Sequence, residues 1–170
     1  SEEKMKKACF TIVGDNVYYP IGTHIFVNSF LRFHPDVDLI VFRQDVIDEV
    51  FKEKNINFYQ AKPFFGEMVV NMGYKLVVNI DADTVICGRL TEVFDKVNYQ
   101  ICGAWNYNDY ENASFENITE KMYVQAGLVG STEKKFWLEW QKINKDAMRY
   151  LRKENDTLNL LIYNHPEISK

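Results

Sequence analysis

The stretch YKLVVNIDADTVICGRL, residues 74–90, runs an apolar segment straight into two aspartates one residue apart. Residues 75–81, KLVVNID, read as a strand buried on both faces, as in the interior of a parallel sheet. Asp81 and Asp83 then fall at its carboxyl end. Carboxylates this close repel each other, and burying them is costly unless a cation or water holds them. The pair therefore asks for a metal.

Strand-like and helix-like segments alternate on both sides of this stretch. Residues 8–13 (ACFTIV) read as a first strand, closed by the turn-forming Gly14-Asp15-Asn16. Ile21, Ile25, Phe26, Ser29, Phe30 and Phe33 recur at helical spacing up to His34-Pro35. A second strand is expected at 38–42 (DLIVF), a helix at 45–54 with Asp45 as N-cap, and a third strand at 56–61 (INFYQA). Residues 64–74 have helical length and end near Gly73. Beyond the aspartates come a short helix (LTEVFDK), strands YQICGAW and VQAGLVGS, a long helix over about 132–152, and a last helix from Asp156. Residues 106–117, NYNDYENASFEN, lack periodicity and read as a long loop, a feature that in compact domains is often functional. The pattern predicts an α/β fold, a mostly parallel central sheet flanked by helices, in a single domain over 1–170.

Composition narrows the partners. A net charge of -4 with no basic block excludes tracking of a phosphate backbone, so nucleic acid is not an expected partner. Three cysteines, Cys9, Cys87 and Cys102, form no CxxC pair and read as reduced thiols, which points to the cytoplasm. His24, His34 and His165 have no carboxylate partner in sequence and read as surface or cap residues. The start of the chain carries no signal-peptide core, and no apolar run reaches the roughly 18 residues of a membrane span. Membership of a longer, multidomain chain stays open.

In a sheet of this kind, ligands bind beyond the carboxyl ends of the strands. Asp15, Asp81 and Asp83 all lie at such ends, and Ala82 is small enough to let a ligand approach. Hard oxygen donors suit Mg or Mn, which take one or two carboxylates and complete their shell with water and substrate phosphates. A diphosphate is the natural third party. Neither a GxxxxGK[ST] loop nor GxGxxG is present, so the commonest nucleotide sites do not apply. An isolated DxD reads as solvated loop carboxylates; its place between a buried strand and a turn favours the metal.

LVVNIDADTVICGRLTEVF resembles the DxD segment of GT-A fold glycosyltransferases, especially the glycogenin-like and galactosyltransferase-like enzymes of glycosyltransferase family eight. Three further segments resemble that family in order: FTIVGDNVYYPIGTHIFVNSFLRFHP its opening strand, nucleotide loop and helix, YVQAGLVGSTEKKFWLEW its N-A-G strand, and ENDTLNLL its D-Q-D-x-L-N segment. The chain is also similar to the compact amino-terminal GT-A domains of glycosyltransferases of large chlorella viruses. That likeness implies a viral protein of the host cytoplasm and rhamnosyl transfer.

The resemblance implies a hexosyltransferase-like enzyme that moves sugar from a nucleotide sugar, UDP-hexose or UDP-rhamnose, to a glycan or other hydroxyl acceptor. Asp81 and Asp83 would bind Mn or Mg bridging the diphosphate. Thr11, Val13, Asp15 and Tyr18 would hold uracil and ribose, although Val13 and Tyr18 read equally as core and Asp15 as a turn residue. Lys62 would neutralise phosphate, against the ordinary reading of an exposed surface lysine. Trp105 and Asn106 would make a platform for a sugar ring, against a buried tryptophan. An inverting transferase also needs a base for the acceptor hydroxyl, and Glu154 and Asp156 are the candidates, with Asp156 also suited to cap the last helix. Two departures stand out. Asn155 replaces the family's glutamine, and His165 lacks the H-x-x-G-x-x-K context of the family's third metal ligand. The rivals are a nucleotidyltransferase, whose glycine-rich basic signature is missing, and a non-catalytic nucleotide-sugar-binding domain.

Overall fold

Five strands assemble in the order β2-β1-β3-β5-β4. They are β1 (Lys7–Ile12), β2 (Asp38–Phe42), β3 (Leu76–Ile80), β4 (Ile101–Trp105) and β5 (Val124–Ser131). The computed structural model describes residues 5–14, 19–56, 60–105, 123–147, 154–164 and 167. β1 pairs in parallel with β2 and β3, whereas β5 runs antiparallel to both β3 and β4. Four strands thus point one way and β5 lies reversed among them.

Helices α1 (Tyr19–Phe33), α2 (Gln44–Lys54), α3 (Ala61–Asn71), α4 (Thr91–Phe94), α5 (Lys134–Ala147) and α6 (Glu154–Asn164) cover the sheet. Alternation along the strands sends side chains to two cores. Ala8, Phe10 and Val77 meet Phe65 and Val69 of α3, Trp137 and Trp140 of α5, and Leu158 of α6. Cys9, Leu76, Val78 and Ile80 face the other way, onto Phe26 and Phe30 of α1 and Phe94 of α4. A Cβ on Gly66 of α3 would sit 2.2 Å from the Trp137 ring, so the closeness of α3 and α5 depends on that missing methyl.

Four expectations are corrected. Residues 56–61 do not supply a third strand: Ile56 and Gln60 lie outside any strand, Ala61 opens α3, and 57–59 lie outside the described residues. The reason is the spacing of Ala61, Phe65 and Val69, all fully buried, which forms a helical face with Pro63 tolerated in the first turn. Asp45 does not cap α2; Arg43 holds that position without a side-chain bond, and Asp45 lies in the first turn. Asp156 likewise lies inside the first turn of α6 rather than at its cap. His34 is no surface residue: it is fully buried, stacked on Phe30 at 4.7 Å and against Phe94 at 5.1 Å. The long helix is described as far as Ala147, and the loop 106–117 lies outside the described residues.

Candidate active site

The site begins where β3 stops. Its ladder with β5 ends at Ile80 opposite Leu128, and the Asp81 N–H still donates to the Gly127 carbonyl at 2.9 Å. Thr84 N–H then bonds back to the Asp81 carbonyl at 3.2 Å, closing a tight turn that buries Ala82 and leaves Asp83 exposed. The following strap is pinned to α1: Ile86 N–H donates to Ser29 Oγ at 3.0 Å, and Leu90 N–H donates to His34 Nε2 at 2.9 Å. Arg89 adds forked bonds to Asp36 at 2.7 and 2.9 Å and bonds to Asp95 at 2.7 and 2.5 Å. Burial pushes the His34 imidazole below its usual range, consistent with a neutral ring whose Nε2 accepts.

β5 continues past the end of β3, so from Val124 to Ala126 its side away from β4 has no strand beside it and the backbone groups there need other partners. Side chains of α6 and α3 take them. Asn159 accepts from Val124 N–H and donates to Val124 O, both at 2.8 Å. Asn155 accepts from Ala126 N–H at 2.8 Å, and Lys62 donates to Ala126 O at 3.0 Å.

Lys62 is the centre of this arrangement. Its ammonium also meets Glu154 Oε1 at 2.8 Å and Asp81 Oδ1 at 2.9 Å, and the residue is only 5% exposed. The expectation of a surface lysine fails because three acceptors compensate its desolvation. Burial pulls the Lys62 ammonium down, but Glu154 and Asp81 more than reverse this and hold it above its ordinary value. Burial raises the Glu154 carboxyl above the usual carboxylate range despite Lys62, and its Oε2 is buried without a partner.

Asp81 and Asp83 open on a cleft of about 310 Å³, lined also by Thr84, Ala104, Gln125 and Gly127. Asp81 divides its oxygens: Oδ1 is held by Lys62, while Oδ2 lies 3.2 Å from the point a Cβ on Gly127 would occupy. Among the described residues no third His, Cys, Asp or Glu joins these two as a ligand cluster. An Oδ2 not taken by Lys62 and the exposed Asp83 carboxylate, both on the cleft, fit a hard cation that takes few protein ligands and fills its shell with water and phosphate.

The remaining predicted residues fall as follows. Thr11 is buried in β1 with an unpartnered hydroxyl, and Val13 donates its N–H to Phe42 O at 2.9 Å just past the end of that strand. Asp15, Tyr18, Asn106 and the side chain of Trp105 lie outside the described residues. Neither Glu154 nor Asp156 lines the cleft. Glu154 reaches Asp81 through Lys62, whereas Asp156 is 1% exposed and accepts the Tyr123 hydroxyl at 2.7 Å. The sequence reading missed Thr84, Ala104, Gln125 and Gly127 as cleft residues. Gln125 and Gly127 carried a signal, since they sit in the VQAG segment already singled out, but strand parity alone does not say which strand is adjacent.

No family model and no curated sequence matches the chain. Solved structures do. The galactosyltransferase LgtC, determined with donor and acceptor sugar analogues, superposes with a TM-score of 0.62 at 15% identity, over 89% of this chain and 69% of LgtC. The glycosyltransferase GlyE of Streptococcus pneumoniae gives 0.62 at 15% identity, over 93% of this chain and 43% of GlyE. Mouse xyloside xylosyltransferase 1 gives 0.60 at 10% identity, over 96% of this chain and 84% of the enzyme. The fold is that of GT-A glycosyltransferases. At these identities the likeness concerns the GT-A fold alone, and this chain spans less than half of GlyE. Among the described residues no helix is long and apolar enough to cross a membrane.

Proposed function

We propose that the chain is a metal-dependent glycosyltransferase domain that moves a sugar from a nucleotide diphosphate sugar, UDP-linked, to a hydroxyl of a glycan or similar acceptor. The observation that carries this reading is the cleft at the end of β3, where Asp81 Oδ2 and Asp83 face open space on a fold shared with glycosyltransferases. Bound there, Mn or Mg supplies Lewis-acid stabilisation of the departing diphosphate. Asp81 and Asp83 would hold the cation, and Gly127 lets the Asp81 carboxylate lie close against β5.

The transfer forms a bond from the acceptor oxygen to the anomeric carbon as the bond from that carbon to the diphosphate breaks. The acceptor's proton must go to a base. Neither carboxylate candidate reaches the cleft as it stands: the unpartnered Oε2 of Glu154 is buried, and Tyr123 occupies an oxygen of Asp156, so the base comes from outside this pair. The Asn155 carboxamide oxygen accepts from Ala126 N–H and is committed to β5.

Calorimetric titration with UDP in Mn, in Mg and in EDTA tests the reading. UDP binding is expected with either cation and not in EDTA, and Asp83→Ala is expected to weaken it at least about tenfold with an unchanged melting temperature. Binding of UDP that persists in EDTA would sink the assignment.

A further inference from the structure

We infer that Lys62 is the resident counter-cation of the metal site, neutralising Asp81 so that a divalent cation binds tightly only together with the donor's diphosphate. The inference rests on the proposed reading of the Asp81 and Asp83 cleft and adds an order of assembly to it.

Lys62 donates hydrogen bonds to Ala126 O at 3.0 Å and Glu154 Oε1 at 2.8 Å and forms an ion pair with Asp81 Oδ1 at 2.9 Å. The residue is only 5% exposed, so its charge acts on the donor through Asp81 and not by contact. Asp81 in turn offers the cleft one oxygen, Oδ2, because Oδ1 is committed. A cation arriving alone therefore meets two carboxylates, one of them already paired with a positive charge a few ångströms behind it.

At separations this short, like charges interact strongly even at an effective dielectric near 20. The diphosphate supplies the missing negative charge. Cation and diphosphate then bind cooperatively, and each must tighten the other by the same factor. A plain staple between α3, α6 and β5 makes a different demand: it requires Lys62 for stability and predicts no effect on cation affinity once the protein is folded.

The probe is Mn itself, with the free ion followed by electron paramagnetic resonance, with and without UDP, in the native chain and in Lys62→Met and Lys62→Arg. The native chain is expected to bind Mn weakly alone and more tightly with UDP. Lys62→Met should bind Mn alone at least about tenfold more tightly, with a smaller gain from UDP, because the repelling charge is gone. Lys62→Arg should keep the native pattern. Unchanged or weaker Mn affinity in folded Lys62→Met overturns the inference while leaving the cleft reading intact.

Should Lys62→Met fail to fold, Glu154→Gln decides. Lys62 then has Asp81 as its one carboxylate partner among the described residues, and affinity for Mn alone should fall by about threefold or more. An unchanged affinity overturns the inference. Absence of Mn-dependent UDP binding in the native chain overturns the cleft reading itself, an outcome distinct from either variant result.

Discussion

Gly127 and His34 do opposite things with the same local constraint, a close approach that only one side chain allows. At Gly127, a methyl would stand 3.2 Å from Asp81 Oδ2, tight enough that one of the two must give by a few tenths of an ångström. Gly127→Ala is therefore expected to lower Mn-dependent UDP affinity by roughly tenfold, since it displaces the Asp81 carboxylate, with stability changed by less than about 1 kcal/mol. Parallel calorimetry and thermal melts check both halves. At His34, both ring nitrogens meet backbone: Nδ1 lies 3.3 Å from Phe30 O, and Nε2 accepts from Leu90 N–H. Arg89, Asp36 and Asp95 are the charged groups acting on it, and burial outweighs the two carboxylates and leaves the pKa lowered. A histidine whose folded pKa is depressed binds more protons unfolded than folded just below its ordinary value. Its stabilising contribution is complete above about pH 6.5 and is lost as the pH falls from there through the folded value. Melting temperature should drop over that window in the native chain, and His34→Gln should flatten that part of the profile at a lower overall stability. A native profile without that drop would remove the linkage.

At the scale of elements, α6 is attached to β5 by amides rather than by apolar burial alone. Asn159 alone satisfies both the N–H and the C=O of Val124 where β3 no longer reaches. Asn159→Ala leaves both groups without that partner in a largely buried interface, which should destabilise the fold by about 2–4 kcal/mol. Because α6 also carries Glu154, the same variant should loosen the Lys62 bridge and weaken UDP binding, measurable after correcting for the unfolded fraction in denaturant titrations. The sequence signalled the helix by its apolar Leu158 and Leu161, both fully buried. It gave no sign of the amide stitching, because an asparagine in a helix reads only as a weak helix former. The misread third strand has the same origin: residues 56–61 are apolar enough for a strand, and only the packing of Ala61, Phe65 and Val69 on one face selects the helix.

For the molecule as a whole, the cleft touches the second core at Ile80 and Leu128 and otherwise stands apart from the residues that hold the fold together. The cores rest on Phe10, Phe65, Trp137 and Trp140 on one side and Phe26, Phe30 and Phe94 on the other, none of which lines the cleft. Removing divalent cation should therefore leave the fold standing. EDTA is expected to shift the melting temperature by less than about 2 °C while abolishing UDP binding, unlike metal-folded domains that unfold on chelation. A large drop in melting temperature with EDTA would show that the cation holds the fold together.

The alternation of strands and helices outside residues 56–61 and the buried strand that runs up to Asp81 follow from the sequence by itself, because periodicity and burial of a run of side chains are local properties of the chain. The reversed direction of β5, the burial of His34 and the union of Lys62, Asp81 and Glu154 were decided only by the tertiary structure. Lys62 and Glu154 stand 92 positions apart. No local pattern encodes such a meeting: which acceptors surround a lysine depends on how α3, β3 and α6 converge, and that convergence follows from the packing of the core.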